Sequence, residues 1–265
     1  MPVQQGRAVV AGALYMRNKL TMGKASIGNT NAAESDALPL AIIIPVLNEV
    51  EEIYPCLRRL QTLRKQGVQL IVVDGGSEDD TVAVATPLAD QVISHEKGRA
   101  QQMNAGAAVA DREWLLFLHA DTRLPVNLPD IMVVWGFTPS VWGFFAIKIR
   151  AASPLLRTVQ WLMNRRSFLT SISTGDQCQF VKRDVFEQIG GFSDIPLMED
   201  IALSKQLKRQ SRPLFINAKV ETSGRRWQRD GIWPTILLMW RLRLAYFFGV
   251  SPKVLAQRYY PIEKP

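Results

Sequence analysis

The chain has 265 residues, 47% hydrophobic and 21% charged, a balance that supports a sizeable buried core and excludes disorder along its whole length. A formal net charge of +8 points to an anionic partner, a phosphate ligand or an acidic membrane surface. No basic stripe interleaved with aromatics and no recognisable nucleic-acid module is present, so nucleic acid is not an expected partner.

Cys56 and Cys178 stand far apart, form no metal-type pair and fit a reducing compartment. With only His95 and His119, a His-rich zinc site is disfavoured and a Ser-His-Asp triad has few options, so any general base is expected to be a carboxylate. Residues 1–38 read as a poorly ordered tail without the apolar h-region of a secretory signal, and Met16 and Met22 offer later translation starts. No stretch reaches the roughly 20 apolar residues of a membrane-spanning helix.

Leu40 to Val46 is an apolar run that predicts a strand buried on both faces, with Pro45 expected at its end because proline cannot donate to a ladder. Asn48 and Glu49 then open a helix carrying Ile53, Leu57, Leu60 and Leu63 at helical spacing, either as N-cap (Asn48) and dipole partner (Glu49) or as ligand-binding groups. Leu70 to Val73 predicts the next strand. It leads into Asp74-Gly75-Gly76-Ser77, where a carboxylate at a strand tip can accept hydrogen bonds and the glycines let a ligand approach. Gln91 to Ser94 is a short strand, followed by a helix from Lys97 to Ala108. Lys97 and Arg99 oppose that helix's dipole, a local cost that bound phosphates would reverse, and its Ala and Gly residues let it lie close to a sheet.

Trp114 to Leu118 is a further buried strand, ending in the polar tip His119-Ala120-Asp121-Thr122. Asp121 sits where open α/β sheets bind ligands and is a candidate ligand for a divalent cation, a turn cap being the alternative. Alternating strands and helices predict an α/β fold with a mainly parallel sheet covered on both faces. Neither a G-x-G-x-x-G after the first strand nor a G-x-x-x-x-G-K-[ST] is present, which disfavours dinucleotide oxidoreductases and P-loop phosphate chemistry.

The second half is less regular. Trp142 to Arg150 predicts a strand in which Phe145, Ile147 and Ile149 alternate with Lys148 and Arg150, and Leu155 to Phe168 a helix ending in Arg165-Arg166. Thr174 to Val181 places a turn before a strand, and Lys182 to Ile189 is a short helix stopped by Gly190-Gly191. Glu199 and Asp200 open another helix, either compensating its dipole or supplying a general base. A short strand precedes Thr222 to Trp227. Ile232 to Phe248 is apolar nearly all round, a helix packed on the domain or lying at a membrane surface.

Taken in order, Ile44-Pro45-Val46-Leu47-Asn48-Glu49, Val73-Asp74-Gly75-Gly76-Ser77, the run from Gly98 to Gly106, Phe117 to Thr122, Gly175-Asp176-Gln177, Pro196 to Asp200 and Arg225-Arg226-Trp227 resemble glycosyltransferase family 2 over about Leu40 to Tyr260. Within that family the chain is similar to a small bacterial branch labelled radical-SAM/selenodomain-associated transferase 2. The resemblance implies a single GT-A domain, residues 39–228, with a Rossmann-like sheet, followed by a C-terminal helical segment, residues 229–265. It implies an inverting transfer of one sugar from a nucleotide sugar, foremost a UDP-sugar, to an acceptor hydroxyl that is either lipid-like or small and soluble.

By the same resemblance Pro45, Glu49 and Asp74 contact base and ribose, and Arg99 faces the phosphates. Asn48, Gly75, Gly76, Gln102, Asn104, His119 and Ala120 complete the donor site. Asp121 holds Mg²⁺ or Mn²⁺, Asp200 beside Glu199 is the base, and Gln177, Arg226 and Trp227 lie near donor and acceptor.

Two departures from the family pattern stand out. The D-x-D element reads His119-Ala120-Asp121, leaving one carboxylate; His119 as a second ligand would suit Mn²⁺ better than Mg²⁺. Ser223 stands where processive synthases carry the Gln of Q-x-x-R-W, which fits single transfer. The competing readings are a nucleotidyltransferase and a nucleotide-sugar-binding or membrane-docking protein without catalysis. The expected location is cytoplasmic, including the inner face of the plasma membrane, with Arg225, Arg226 and the segment from Ile232 facing anionic lipid.

Overall fold

A computed structural model of the chain describes residues 38–259 apart from Gly136 and Ala152. Of the expected tail only Leu38 lies among the described residues, its N–H donating to Gln66 O (2.9 Å); the alternative starts Met16 and Met22 lie outside them. Strands β1 (Leu40–Val46), β2 (Gln69–Asp74), β3 (Gln91–Ser94) and β4 (Trp114–Phe117) alternate with helices α1 (Val50–Lys65), α2 (Thr81–Ala85) and α3 (Arg99–Ala108). Then follow α4 (Leu128–Trp135), β5 (Trp142–Arg150), α5 (Pro154–Thr170), a 3₁₀ turn (Gly175–Gln177), β6 (Phe180–Lys182) and α6 (Arg183–Gln188). The chain continues through α7 (Glu199–Leu207), β7 (Leu214–Ser223), α8 (Arg225–Arg229), α9 (Ile232–Phe247) and α10 (Pro252–Tyr259).

Among the described residues the strands form one seven-stranded sheet in the order β3-β2-β1-β4-β6-β5-β7. All pairings are parallel except those of β6, which runs antiparallel to β4 and β5. Because side chains alternate along a strand, the apolar run of β1 feeds both faces. Leu40, Ile42 and Ile44 join Ile53, Leu57 and Leu60 of α1 in one core, while Ala41 and Ile43 join Ala100, Met103 and Ala107 of α3 in the other. Each large aliphatic side chain removed from water this way stabilises the fold by about 1.5–3 kcal/mol. Close approach of α3 depends on Gly106, where a Cβ would stand 2.5 Å from Ile43 Cγ2 and 2.9 Å from Val73 Cγ2.

Three local expectations are corrected. Pro45 lies inside β1, paired in register with Val73; β4 reaches only the Ile43–Phe117 pair, so proline falls past the part of β1 that is bonded on both sides. Asn48 does not cap α1. It takes the left-handed conformation (φ 53°), and its side chain faces the loop after β2. The strand before Thr222 is not short: β7 spans ten residues, supported along most of its length by β5.

The C-terminal helices dock through Leu242 of α9 and Leu255 of α10 against Leu197, Met198 and Ile201 at the start of α7. The first turns of α9 also rest on the main core through Ile232 and Ile236, with Thr235 buried. No helix among the described residues is long and apolar enough to cross a membrane.

Candidate active site

The strands β1, β2 and β4 leave the sheet at one edge, and their polar tips collect there. Asp74 ends β2 opposite Val46, and its buried carboxylate accepts the N–H groups of Gly76 (3.0 Å) and Ser77 (3.0 Å). Ser77 Oγ also donates to Asp74 while accepting the N–H of Asn48 (2.8 Å), and Asn48 Oδ1 accepts the N–H of Glu78 (2.8 Å). Behind them the buried Gln102 donates its amide to Val46 O and Val73 O (2.8 Å each). The loops after β1 and β2 are therefore one braced unit.

His119 and Asp121 follow β4. The Arg150 guanidinium fixes the Asp121 backbone through its carbonyl (2.7 Å), and the partly buried carboxylate accepts only its neighbour Thr122's hydroxyl (3.1 Å) among the hydrogen bonds of the described residues. His119 packs against Gly175, where a Cβ would stand 2.8 Å from its ring, and its Nδ1 lies 3.6 Å from Asp176 Oδ1. Burial works to raise the Asp176 carboxyl. Contact with His119 and the charges of Arg99 and Arg226 prevail, holding it below the ordinary carboxylate range. Across the cleft Arg225 lies 3.8 Å from Glu49 and 3.4 Å from Glu52. Burial raises the Glu49 carboxyl against the pull of Arg225.

Asp200 comes from the first turn of α7, entered through Met198 in the left-handed conformation (φ 71°). Its Oδ2 accepts the Gly175 N–H (2.8 Å) and its Oδ1 the Ile201 N–H (2.6 Å). Burial first, and the adjacent Glu199 carboxylate second, push Asp200 up to about 6 against those two donors. Glu199 is buried, with Oε1 4.0 Å from Arg99 Nη1. A small recess between Asp200, Glu199, Arg99 and His119 adjoins a cleft that Arg99, His119, Asp121, Asp176 and Arg226 also line.

The structure thus gathers Glu49, Arg99, His119, Asp121, Glu199, Asp200 and Arg226 around one opening. Trp227 lines the cleft while packing against the core. Other expected site residues serve the scaffold. Asn104 clasps the backbone of Phe192 with both amide atoms (2.9 Å each), Ala120 is buried in the core, and Gly75 covers the Gln102 amide. Gln177 is fully buried, accepting from Ser167 Oγ (2.7 Å) and donating to Phe145 O (3.2 Å), so it positions the turn rather than facing the cleft. Gly76 supplies a positive φ of 92° to the loop. The motifs assign Asp176 and Arg225 no donor or metal role, and their places become visible only through His119 and Glu49.

Residues 41–138 match the sequence profile of Glycosyl transferase family 2. That segment, carrying Asp74, Arg99, His119 and Asp121, belongs to the family, and the architecture around it is of the GT-A type. The chain is 36% identical over 91 residues to a PGL/p-HBAD biosynthesis glycosyltransferase of Mycobacterium bovis, covering 32% of this chain and 36% of that protein. It therefore spans little more than a third of the relative's length. Among solved structures it is similar to the mannosyltransferase PcManGT from Pyrobaculum calidifontis in complex with GDP-Man and Mn²⁺ (19% identity, TM-score 0.60, 98% of this chain and 75% of that one). It is also similar to glucosyl-3-phosphoglycerate synthase from Mycobacterium tuberculosis with Mn²⁺, UDP and glucosyl-3-phosphoglycerate (18% identity, TM-score 0.52, 68% and 70%).

Proposed function

We propose that the protein is an inverting glycosyltransferase moving one sugar from a nucleotide-sugar donor, foremost a UDP-sugar, to an acceptor hydroxyl. The observation that carries this reading is the setting of Asp200. It is a carboxylate anchored by two backbone N–H groups, raised to about 6, and placed in a recess that shares Arg99 and His119 with the Asp121 cleft. Such a group is mostly ionised at neutral pH yet basic enough to take a proton, as general-base work requires. Asp200 accepts the acceptor's hydroxyl proton while that oxygen bonds to the anomeric carbon. The bond from that carbon to the diphosphate breaks, its electrons leave with the nucleoside diphosphate, and the configuration inverts. Arg99 is placed to offset the charge that grows on the leaving group.

The side chains beside Asp121 fit a divalent cation. Asp121 keeps lone pairs towards the cleft, whose lining also includes His119 and, 3.6 Å from its ring, Asp176. No group of three or more His, Cys, Asp or Glu side chains able to hold a metal ion is drawn together among the described residues, so an ion here would need further oxygens from a diphosphate and water. Asp121 would hold Mg²⁺ or Mn²⁺, with His119 as the second candidate donor, and a bound ion would supply positive charge to the diphosphate. The nucleotides and Mn²⁺ held by the solved neighbours support the same reading.

A position at the cytoplasmic face of the membrane belongs to this proposal. The unpaired Cys56 and Cys178 are buried, burial pushing the Cys56 thiol up to about 12, and Arg225 and Arg226 stand beside the apolar α9. The test of the activity is a donor screen with UDP-, GDP- and dTDP-sugars in Mn²⁺, Mg²⁺ or EDTA, reading nucleotide release. Metal-dependent release from one donor is expected. Metal-independent release would remove the cation from the scheme, and binding without release under any acceptor would reject transfer.

A further inference from the structure

Helices α5 and α9 wall a groove of about 1630 Å³ that opens from the Asp121 cleft. This exceeds the roughly 300–1,000 Å³ of a small-molecule pocket, so a nucleotide sugar alone leaves much of it unfilled. Along α9, Trp233, Leu237, Trp240, Leu244 and Phe247 recur at helical spacing and are 59–76% exposed, all lining the groove. Facing them, Trp161, Leu162 and Leu169 of α5 are 50–68% exposed, and Ile147 and Ile149 of β5 form the floor. An apolar stripe left open on both walls of one groove calls for an apolar occupant.

Charge says which kind. At the inner end the groove meets Asp121 and Asp176. Everywhere else among the described residues its charged lining is arginine, including Arg165, Arg166, Arg241 and Arg243, while Arg229 is paired with its neighbour Asp230 (2.7 Å). A second copy of the chain would bring these cations against one another, whereas an anionic head would pair with them. Tryptophan and arginine beside aliphatic surface is also the composition of a bilayer interface.

We infer that the groove is the acceptor site and that the acceptor is an anionic amphiphile. Its hydrocarbon chain lies between α5 and α9, its anionic head meets the arginines, and its hydroxyl is directed to the end shared with Arg99 and His119. The inference rests on the proposed glycosyl transfer and adds to it the acceptor's class and location.

The test titrates the full chain with oleoyl lysophosphatidylglycerol below its micelle concentration, following fluorescence of the groove tryptophans, with lysophosphatidylcholine and glycerol phosphate in parallel. Saturable binding of the anionic lipid is expected, at least about tenfold tighter than of the zwitterionic one, with no binding of the head alone. Leu237→Gln and Leu244→Gln, both at exposed positions, should each weaken it about tenfold, while Mn²⁺-dependent binding of UDP or GDP persists. Equal affinity for both lipids, or insensitivity to the two substitutions, would overturn the assignment. So would sedimentation showing a dimer that Leu237→Gln dissociates, since a second copy would then cover the groove. Lipid binding by a chain that binds no nucleotide would refute the transferase reading and leave a lipid site without an acceptor role.

Discussion

The Gly175 N–H donates to Asp200 Oδ2 over 2.8 Å, tying the turn that carries Asp176 to the first turn of α7. One hydrogen bond from a backbone N–H thus couples the carboxylate proposed to take the proton to the turn that seats His119. Substitutions at either end should be felt at the other.

Asp200→Asn keeps the shape of the side chain and removes the basic lone pair. Transfer is expected to fall about 10³-fold, with nucleotide affinity by calorimetry changed less than about twofold. Equal loss of both would remove Asp200 from the base role.

The proposed base role requires transfer by the parent protein to fall as the pH drops through about 6, where the Asp200 carboxylate takes up a proton. Stability moves the opposite way. A folded-state value raised above the unfolded one contributes stability that is present at low pH and lost as pH rises through about 6. Relative to Asp200→Asn, the parent should therefore gain on the order of 1–3 kcal/mol between pH 7 and pH 4, read from urea unfolding at each pH.

Gly175→Ala places a Cβ 2.8 Å from the His119 ring. Displacing the ring should destabilise the protein by about 1–3 kcal/mol and weaken Mn²⁺-dependent nucleotide binding. Unchanged melting and unchanged binding would mean that the ring moves aside freely.

Gly106→Ala sets two effects against each other. Alanine favours a helix over glycine by about 1 kcal/mol, but its methyl would stand 2.5 Å from Ile43 Cγ2. The overlap should prevail, giving a net loss of about 1–2 kcal/mol in urea unfolding. A net gain would show that α3 can lift from the sheet at little cost.

Asp121→Asn should lower nucleotide affinity at least about tenfold in Mn²⁺. In EDTA the parent and the variant should bind alike. A deficit that persists in EDTA would assign Asp121 a role other than holding the cation.

The strands were legible because β1, β2 and β4 are apolar runs ending in polar residues, and the tips of such strands share one edge in a parallel sheet. What each tip residue does was not legible. Asn48, Asn104, Gln102 and Gln177 carry side chains that serve a ligand or a backbone equally well, and only the fold shows that they hold carbonyls and N–H groups. Asp176 had no periodic tie to His119, since the antiparallel approach of β6 is what brings the two together. The open stripe on α9 was obscured because a helix apolar all round does not announce which side its neighbours cover.

The antiparallel setting of β6 has a consequence for how such a molecule diversifies. Asp74, Arg99 and Asp121 lie within residues 41–138, the segment matched by the family profile; Asp176, Asp200 and Arg225 lie beyond it. In the sheet the two parts meet along Trp114–Lys182, Leu115–Val181 and Leu116–Phe180, and the Asn104 clasp on Phe192 reinforces the seam. A chimera joining one protein's first part to another's second has this short suture and the Arg123–Glu221 bridge to β7 to reconcile in backbone pairing. The two sides of the opening can thereby be inherited and remodelled as separate modules.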